Sequence, residues 1–229
     1  MKVELTIPTD LNELTLRQYQ KFVKVKDMTN DNEMLAEKMI QIFCGIELKE
    51  IVNIKFSEVR KLVEHFNKLF SETPKFTPTF KIENVEFGFI PDLQNISFGE
   101  YVDLEENLKN WDTYHKAMAV MYRPIKLKVK DGYEIMEYKG TAEFAELMKF
   151  APLGVVLSSS VFFWNLGNEL LASTIVYLER ETKNPKVLEI LAKEHNFQDN
   201  GVGISQFMHS LTEMSQNLTK LPEWEYLSV

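Results

Sequence analysis

The chain has one cysteine, Cys44, and only nine glycines and eight prolines in 229 residues. A lone cysteine cannot close an internal disulfide, which excludes a disulfide-stapled scaffold. Its place in an apolar helical pattern predicts a buried small hydrophobe in a reducing compartment. Scarce glycine and proline exclude collagen-like repeats and argue against extended disorder. Histidine is rare too: His65, His115, His195 and His209 are the four, and none falls in an H-E-x-x-H or Cys–His metal pattern. There is no Walker lysine and no G-x-S-x-G elbow. Gly201-Val-Gly203 lacks the third glycine of a dinucleotide fingerprint and follows a predicted helix, not a strand. No catalytic residue, cofactor or metal is expected.

Positive charge is also in deficit. There are 26 basic against 34 acidic residues, a formal charge of −8, and the pI is near 5.2. Wrapping DNA or RNA would need a segregated basic face. Arg123, Lys126, Lys128 and Lys130 are the local candidate. They alternate with Ile125, Leu127 and Val129 like the solvated side of a strand, and exposed lysines protect sheet edges. Nucleic acid is therefore not expected as a partner. The opening MKVELTIPTDLNEL has charges inside its first apolar run and no small-residue cleavage site, so no secretory signal is expected there. No lipidation motif is present.

What is abundant is apolar carbon, 45% of residues including 16 phenylalanines, enough for a domain that buries roughly 70% of its unfolded surface. Helical spacing appears first. Thr15 opens a pattern with Leu16, Tyr19, Phe22 and Val23 on one face. A second runs from Asn32, with Met34, Leu35, Met39, Ile42 and Phe43 inward, and stops at Gly45. A short helix over Leu48–Val52 connects it to a third, capped by Ser57, whose stripe is Val59, Leu62, Val63, Phe66 and Phe70.

At Thr73 the period changes to two. Phe80 and Ile82, then Val85, Phe87 and Phe89, flank a Glu83-Asn84 turn and predict a β-hairpin, with Pro78 holding the first strand to an edge or a late start. Ile125–Lys130 and Tyr133–Tyr138 flank Asp131-Gly132, a strong hairpin signal. Between the hairpins, Ser97 and Glu100 fit a capping box for a helix to about Leu108. Asp112 caps the next, which Pro124 ends. The whole stretch from Phe87 to Pro124 is dense in aromatic residues and helix starts.

A long element begins near Pro152 and runs to about Glu181. Glu169 is the only charged residue from Leu153 to Leu178, a length that suggests a membrane span. Ser158, Ser159, Ser160, Asn165, Asn168 and Glu169 count against it, since such groups are costly in lipid. A core helix contacted on several sides explains the run better, and no membrane is expected. Two further helices, about Lys186–His195 and Ser205–Leu221, precede the aromatic tail PEWEYLSV. The elements predict an α+β, mainly α fold. Residues 1–72 make an N-terminal helical unit. Residues 73–229 make a hairpin–helices–hairpin module with C-terminal helices around the long core helix. The two hairpins can pair into one small antiparallel sheet, and both regions can pack as one domain.

Polar residues in these elements have mostly structural readings. Asp112 and His115 could share a helix face as ligands, but Asp112 already serves as a cap. Glu100 and Asp103 sit one turn apart on one helix, whereas glycosidase carboxylates face each other across a substrate. Ser158–Ser160 have no local base and suit close helix packing. Trp164 reads as core. Arg123, beside Pro124 at the predicted helix end, has two readings: an internal tie to Glu100 or Asp103, and a contact to a partner's carboxylate or phosphate. Trp224 and Tyr226 in the tail are the best docking candidates, because aromatics dominate interface hot spots. Ten methionines suit either an adaptable helix-binding groove or ordinary core filling.

The runs FGFIPDLQNISFGEYVDLE, HKAMAVMYRPI, VFFWNLGNELL and NGVGISQFMHSL, in order from LTLRQYQKF onward, resemble small proteins of tailed bacteriophages. These are encoded in virion-structure gene clusters, including those of phages infecting Bacteroidetes. The resemblance covers most of the chain and transfers no functional residue. It implies a non-enzymatic structural or assembly protein whose partners are other phage structural proteins. Two roles follow: a virion component of tail, connector or packaged cargo, or a tail assembly chaperone. It implies residence in the host cytoplasm during assembly, with the virion as a later location. The alternative, from another class, is a host-directed phage enzyme or inhibitor, which would show a polar pocket with convergent titratable groups.

Overall fold

The computed structural model describes residues 5–163 except Gln94 and Asp131. Up to Ser160 these belong to one compact unit. The fold is α+β and mainly α. In chain order its elements are α1 (Leu16–Met28), α2 (Asn32–Cys44), α3 (Leu48–Ile51), α4 (Phe56–Phe70), β1 (Thr79–Ile82), β2 (Val85–Phe89), α5 (Phe98–Asn107), α6 (Tyr114–Met121), β3 (Tyr122–Val129), β4 (Gly132–Ile135) and α7 (Ala145–Met148). Helical residues 153–160 follow as the start of α8.

α1 begins where chemistry allows it to. The Thr15 hydroxyl accepts from Gln18 N, and Gln18 Oε1 takes the Thr15 N–H at 2.9 Å. The remaining first-turn donors are not left open: Leu16 N donates to Ala151 O at 3.0 Å and Arg17 N to Lys149 O at 2.7 Å. Leu153 N returns a bond to Leu14 O at 2.8 Å, so the start of α8 and the start of α1 are laced together. α2 stops at Gly45, whose φ of 68° is the left-handed cap that glycine supplies without a Cβ penalty.

The helices α1, α2 and α4 pack through an aromatic seam. Phe43 lies 5.3 Å from Phe22, 5.4 Å from Phe66 and 5.3 Å from Phe70, centroid to centroid. Leu35, Met39, Ile40, Leu62, Val63 and Phe66 complete this buried layer. Two of the expected inward residues differ: Met34 is exposed and Ile42 half-buried, because Ala36 and Ile40 turn in instead. Cys44 is half-buried rather than buried. Ser57 does not cap α4. That helix starts two residues earlier than expected, at Phe56 behind Lys55, because the tight turn out of α3, with Ile54 N on Ile51 O at 2.9 Å, sets its entry.

The two hairpins form one antiparallel sheet in the order β1-β2-β3-β4. Phe80 faces Phe87 in the first ladder and Phe89 faces Tyr122 in the second. The helix α6 ends at Met121, not at Pro124, and Arg123 and Pro124 belong to β3. Proline is tolerated there because Phe87↔Pro124 is where the β2–β3 ladder ends, and its carbonyl still accepts from Met136 N at 2.9 Å. A register irregularity between Ile125 and Leu127 follows. β4 stops at Ile135, short of the expected Tyr138. Gly88 sits under the Tyr133 ring: a Cβ there would lie 2.8 Å from Tyr133 Cδ2. That close approach lets the Tyr133 hydroxyl cross β3 and donate to Phe89 O at 3.0 Å.

Among the described residues no helix is long and apolar enough to cross a membrane. The run past residue 163, the helices expected at 186–195 and 205–221, Gly201, Gly203, Trp164, His195 and His209 lie outside the described residues.

Candidate functional site

Two places merit a functional reading. The first is the polar cluster inside the stretch from Phe87 to Tyr138. Ser97 and Glu100 form the expected capping box of α5, with Ser97 N donating to Glu100 Oε2 at 2.7 Å. The other carboxylate oxygen meets Arg123 Nη1 at 2.7 Å. Both residues are deeply buried, at 6% and 8% exposure. The Tyr138 hydroxyl donates to Asp103 Oδ2, and the Arg123 guanidinium lies 5.6 Å from the Tyr138 ring centroid. Burial alone would raise the Glu100 carboxyl. The Ser97 hydroxyl, the Ser97 N–H and Arg123 outweigh it and hold Glu100 below the usual carboxylate range. Burial, then the bond to Asp103, pushes the Tyr138 phenol well above its ordinary value.

These shifts favour the states that keep the cluster paired, the Glu100 carboxylate and the neutral Tyr138 phenol. Arg123 Nε is buried without a hydrogen-bond partner, but Nη1 on Glu100 and the Tyr138 hydroxyl on Asp103 clamp α5 to β3 and to the chain after β4. Arg123 is the internal tie; it is buried and committed to Glu100. Asp112 is no cap, since Thr113 holds that position. Its carboxylate is 3.1 Å from Lys24 Nζ instead.

His115 is not gathered with Glu100 and Asp103. Its Nδ1 lies 3.1 Å from Gln20 Nε2, which also donates to Trp111 O at 2.6 Å. Burial first, then nearby Lys149, lowers the His115 pKa, so the ring is a neutral acceptor joining α6 to α1. Ser158 and Ser159 are buried with their hydroxyls on Val155 O and Val156 O, at 2.8 and 2.7 Å. Ser159 also reaches Met118 Sδ at 3.5 Å, the close helix contact that small residues permit. Among the described residues no group of three or more His, Cys, Asp and Glu is placed to hold a metal.

The second place is a groove of about 630 Å³ between the start of α2, the end of α3 and the length of α4 from Phe56 to Asn67. The spacing of α4 builds it. Leu62, Val63, Phe66, Leu69 and Phe70 are buried, and Phe56 and Val59 extend from Val63 along a neighbouring stripe. Ala36, small and on α2, keeps the opposing wall low, and Ile51 closes the floor. The lips are Val52 and Phe56, exposed at 70% and 71%. Large apolar side chains this open around a concavity mark interaction surfaces. The rim carries Glu33, Glu37, Glu64 and Arg60. None of these four makes an ion pair with another described residue.

The groove holds no methionine; Met39, Met118, Met121 and Met148 are core filling. Sequence reasoning missed the groove because each lining residue looks like ordinary helix content. The signal that could have found it is the apolar pair Val52 and Phe56 on either side of a polar turn. Trp224 and Tyr226 lie outside the described residues. Compared with known proteins, the chain matches no family model, no curated protein and no solved structure.

Proposed function

We propose that this chain is a non-enzymatic structural or assembly protein of a tailed bacteriophage that acts by binding other proteins during tail or connector morphogenesis. The observation that carries the reading is the groove between α2, α3 and α4, with its apolar floor and exposed Val52 and Phe56 lips. A protein surface spends apolar carbon on solvent at a concave site when another chain covers it in use. The titratable groups weighed as catalytic candidates are committed to structure: Glu100 to Arg123 and Ser97, Asp103 to Tyr138, His115 to Gln20. The phage assignment rests on the motif resemblance, and the acidic charge of −8 suits a protein that shields a partner.

Mass spectrometry of purified virions and of complexes purified from infected cells tests this. A virion component is found in the particle in many copies. A tail assembly chaperone is missing from the particle and co-purifies with a virion protein. Absence from virions together with no virion protein in the complexes sinks the proposal.

A further inference from the structure

We infer that the α2–α3–α4 groove takes one amphipathic α-helix of a partner protein, with apolar anchors flanked by Lys or Arg. This rests on the protein-binding reading above and names the chemistry of the partner segment. The form of the occupant follows from what lines the groove. Its walls are helices, whose backbone groups are bonded within each helix, and among the described residues no strand edge borders it. An extended peptide would find no ladder to join. A helix brings its own backbone bonds satisfied and needs only apolar anchors at i, i+3 or i+4, and i+7. Val52 and Phe56 stand ready to close over such anchors, above a floor that includes Val59 and Val63.

The charge of the occupant follows from the rim. Three glutamates stand there against one arginine, and none is neutralised by a described neighbour. Glu33 and Glu37 lie one turn apart on α2, an i,i+4 like-charge pair that costs an isolated helix a few tenths of a kcal/mol. A cationic flank on the ligand relieves that repulsion and guides encounter. The same charge argues against a second copy of this chain as occupant: each carries −8, and like net charges repel at approach.

A display library of amphipathic helices with randomised flank charge, selected on the full-length protein, tests the inference. Enriched clones should carry Lys or Arg beside the anchors. Their affinity, read by fluorescence anisotropy of labelled peptides, should fall roughly tenfold or more in Phe56→Glu and Val52→Glu. Both residues are largely exposed, so the variants should keep the wild-type circular dichroism and melting temperature. Glu33→Lys with Glu37→Lys should weaken binding several-fold and flatten its salt dependence. The inference is overturned by failure to enrich any helix, by enrichment of acidic flanks, or by affinity indifferent to Phe56→Glu. It is also overturned if the free protein forms a dimer that Phe56→Glu abolishes, which would make the groove a self-interface. The parent reading has its own outcome. If wild type and Phe56→Glu recover the same virion protein from infected cells, the groove inference falls and the assembly role stands. If basic helices bind as expected but the protein is absent from virions and recovers no virion protein, the reverse holds.

Discussion

Around Arg123 the molecule buries charge and pairs it, whereas around the α2–α3–α4 groove it exposes apolar carbon and leaves the rim charges without ion pairs to described residues. Both regions depart from the usual division of apolar inside and polar outside, in opposite senses. The Arg123–Glu100 pair lies at a junction of α5 with β3, where its directional bonds fix which surfaces meet. Burying an ion pair is seldom a source of net stability, because desolvation offsets attraction. Its contribution here is to select one register. The groove has no such internal partner, and its exposed side chains cost the isolated fold little to change. Inward-facing polarity therefore shows how this protein is built, and outward-facing apolarity marks the surface on which the proposed partner binding rests.

That contrast can be broken experimentally. Arg123→Ala strands the buried Glu100 carboxylate and should cost about 3–5 kcal/mol in urea unfolding. The pair Arg123→Met with Glu100→Gln keeps the capping oxygen, removes both charges and should recover most of the loss. A single-variant cost below about 1 kcal/mol would mean the tie is not buried in solution. Gly88→Ala places a methyl group against the Tyr133 ring and should cost about 1–3 kcal/mol as overpacking, accompanied by a changed near-ultraviolet tyrosine signal.

Ser97→Ala removes the hydroxyl that accepts from Glu100 N, a loss of about 1 kcal/mol for a helix cap. The acid limb sharpens this point. Glu100 is held below its ordinary value in the fold. The unfolded chain therefore binds the proton more readily, and this stabilisation is present above an unfolded Glu pKa of ~4.3. It is lost as pH falls through the folded value. Glu100→Gln should lack that step in a stability-versus-pH titration; an unchanged acid limb would assign the step to other carboxylates. Smallest of all, Phe56→Ser should move stability by no more than about 0.5 kcal/mol. A larger loss would make Phe56 a core residue and remove the contrast.

Local chemistry was well represented in the sequence. The helix start at Thr15, the capping box at Ser97, the stop at Gly45 and both hairpins rest on neighbours within a few positions, where side-chain and backbone geometry decide the outcome. Arg123 shows the limit. Proximity to Pro124 suggested a helix end, yet β2 supplied a pairing partner 37 positions upstream, Phe87↔Pro124, and drew both residues into a strand. Asp112 fails as a cap for a similar reason, because Lys24 on α1 claims its carboxylate. The groove was not legible, since it exists only where α2, α3 and α4 diverge, and no single helix records the space beside it.

Tyr133 carries a consequence for the order in which the chain folds. Its hydroxyl reaches Phe89 O and, at 3.2 Å, Pro78 O, so the last strand fastens onto the first hairpin across the strand between them. Each hairpin can close quickly on its own, in about 1–10 μs, but this fastening spans the whole α5–α6 insert. Closure of so long a segment is entropically slow unless the insert is already compact. The insert thus sets the tempo: amides of β4 should gain hydrogen-exchange protection together with those of α5 and α6, and later than the β1–β2 turn.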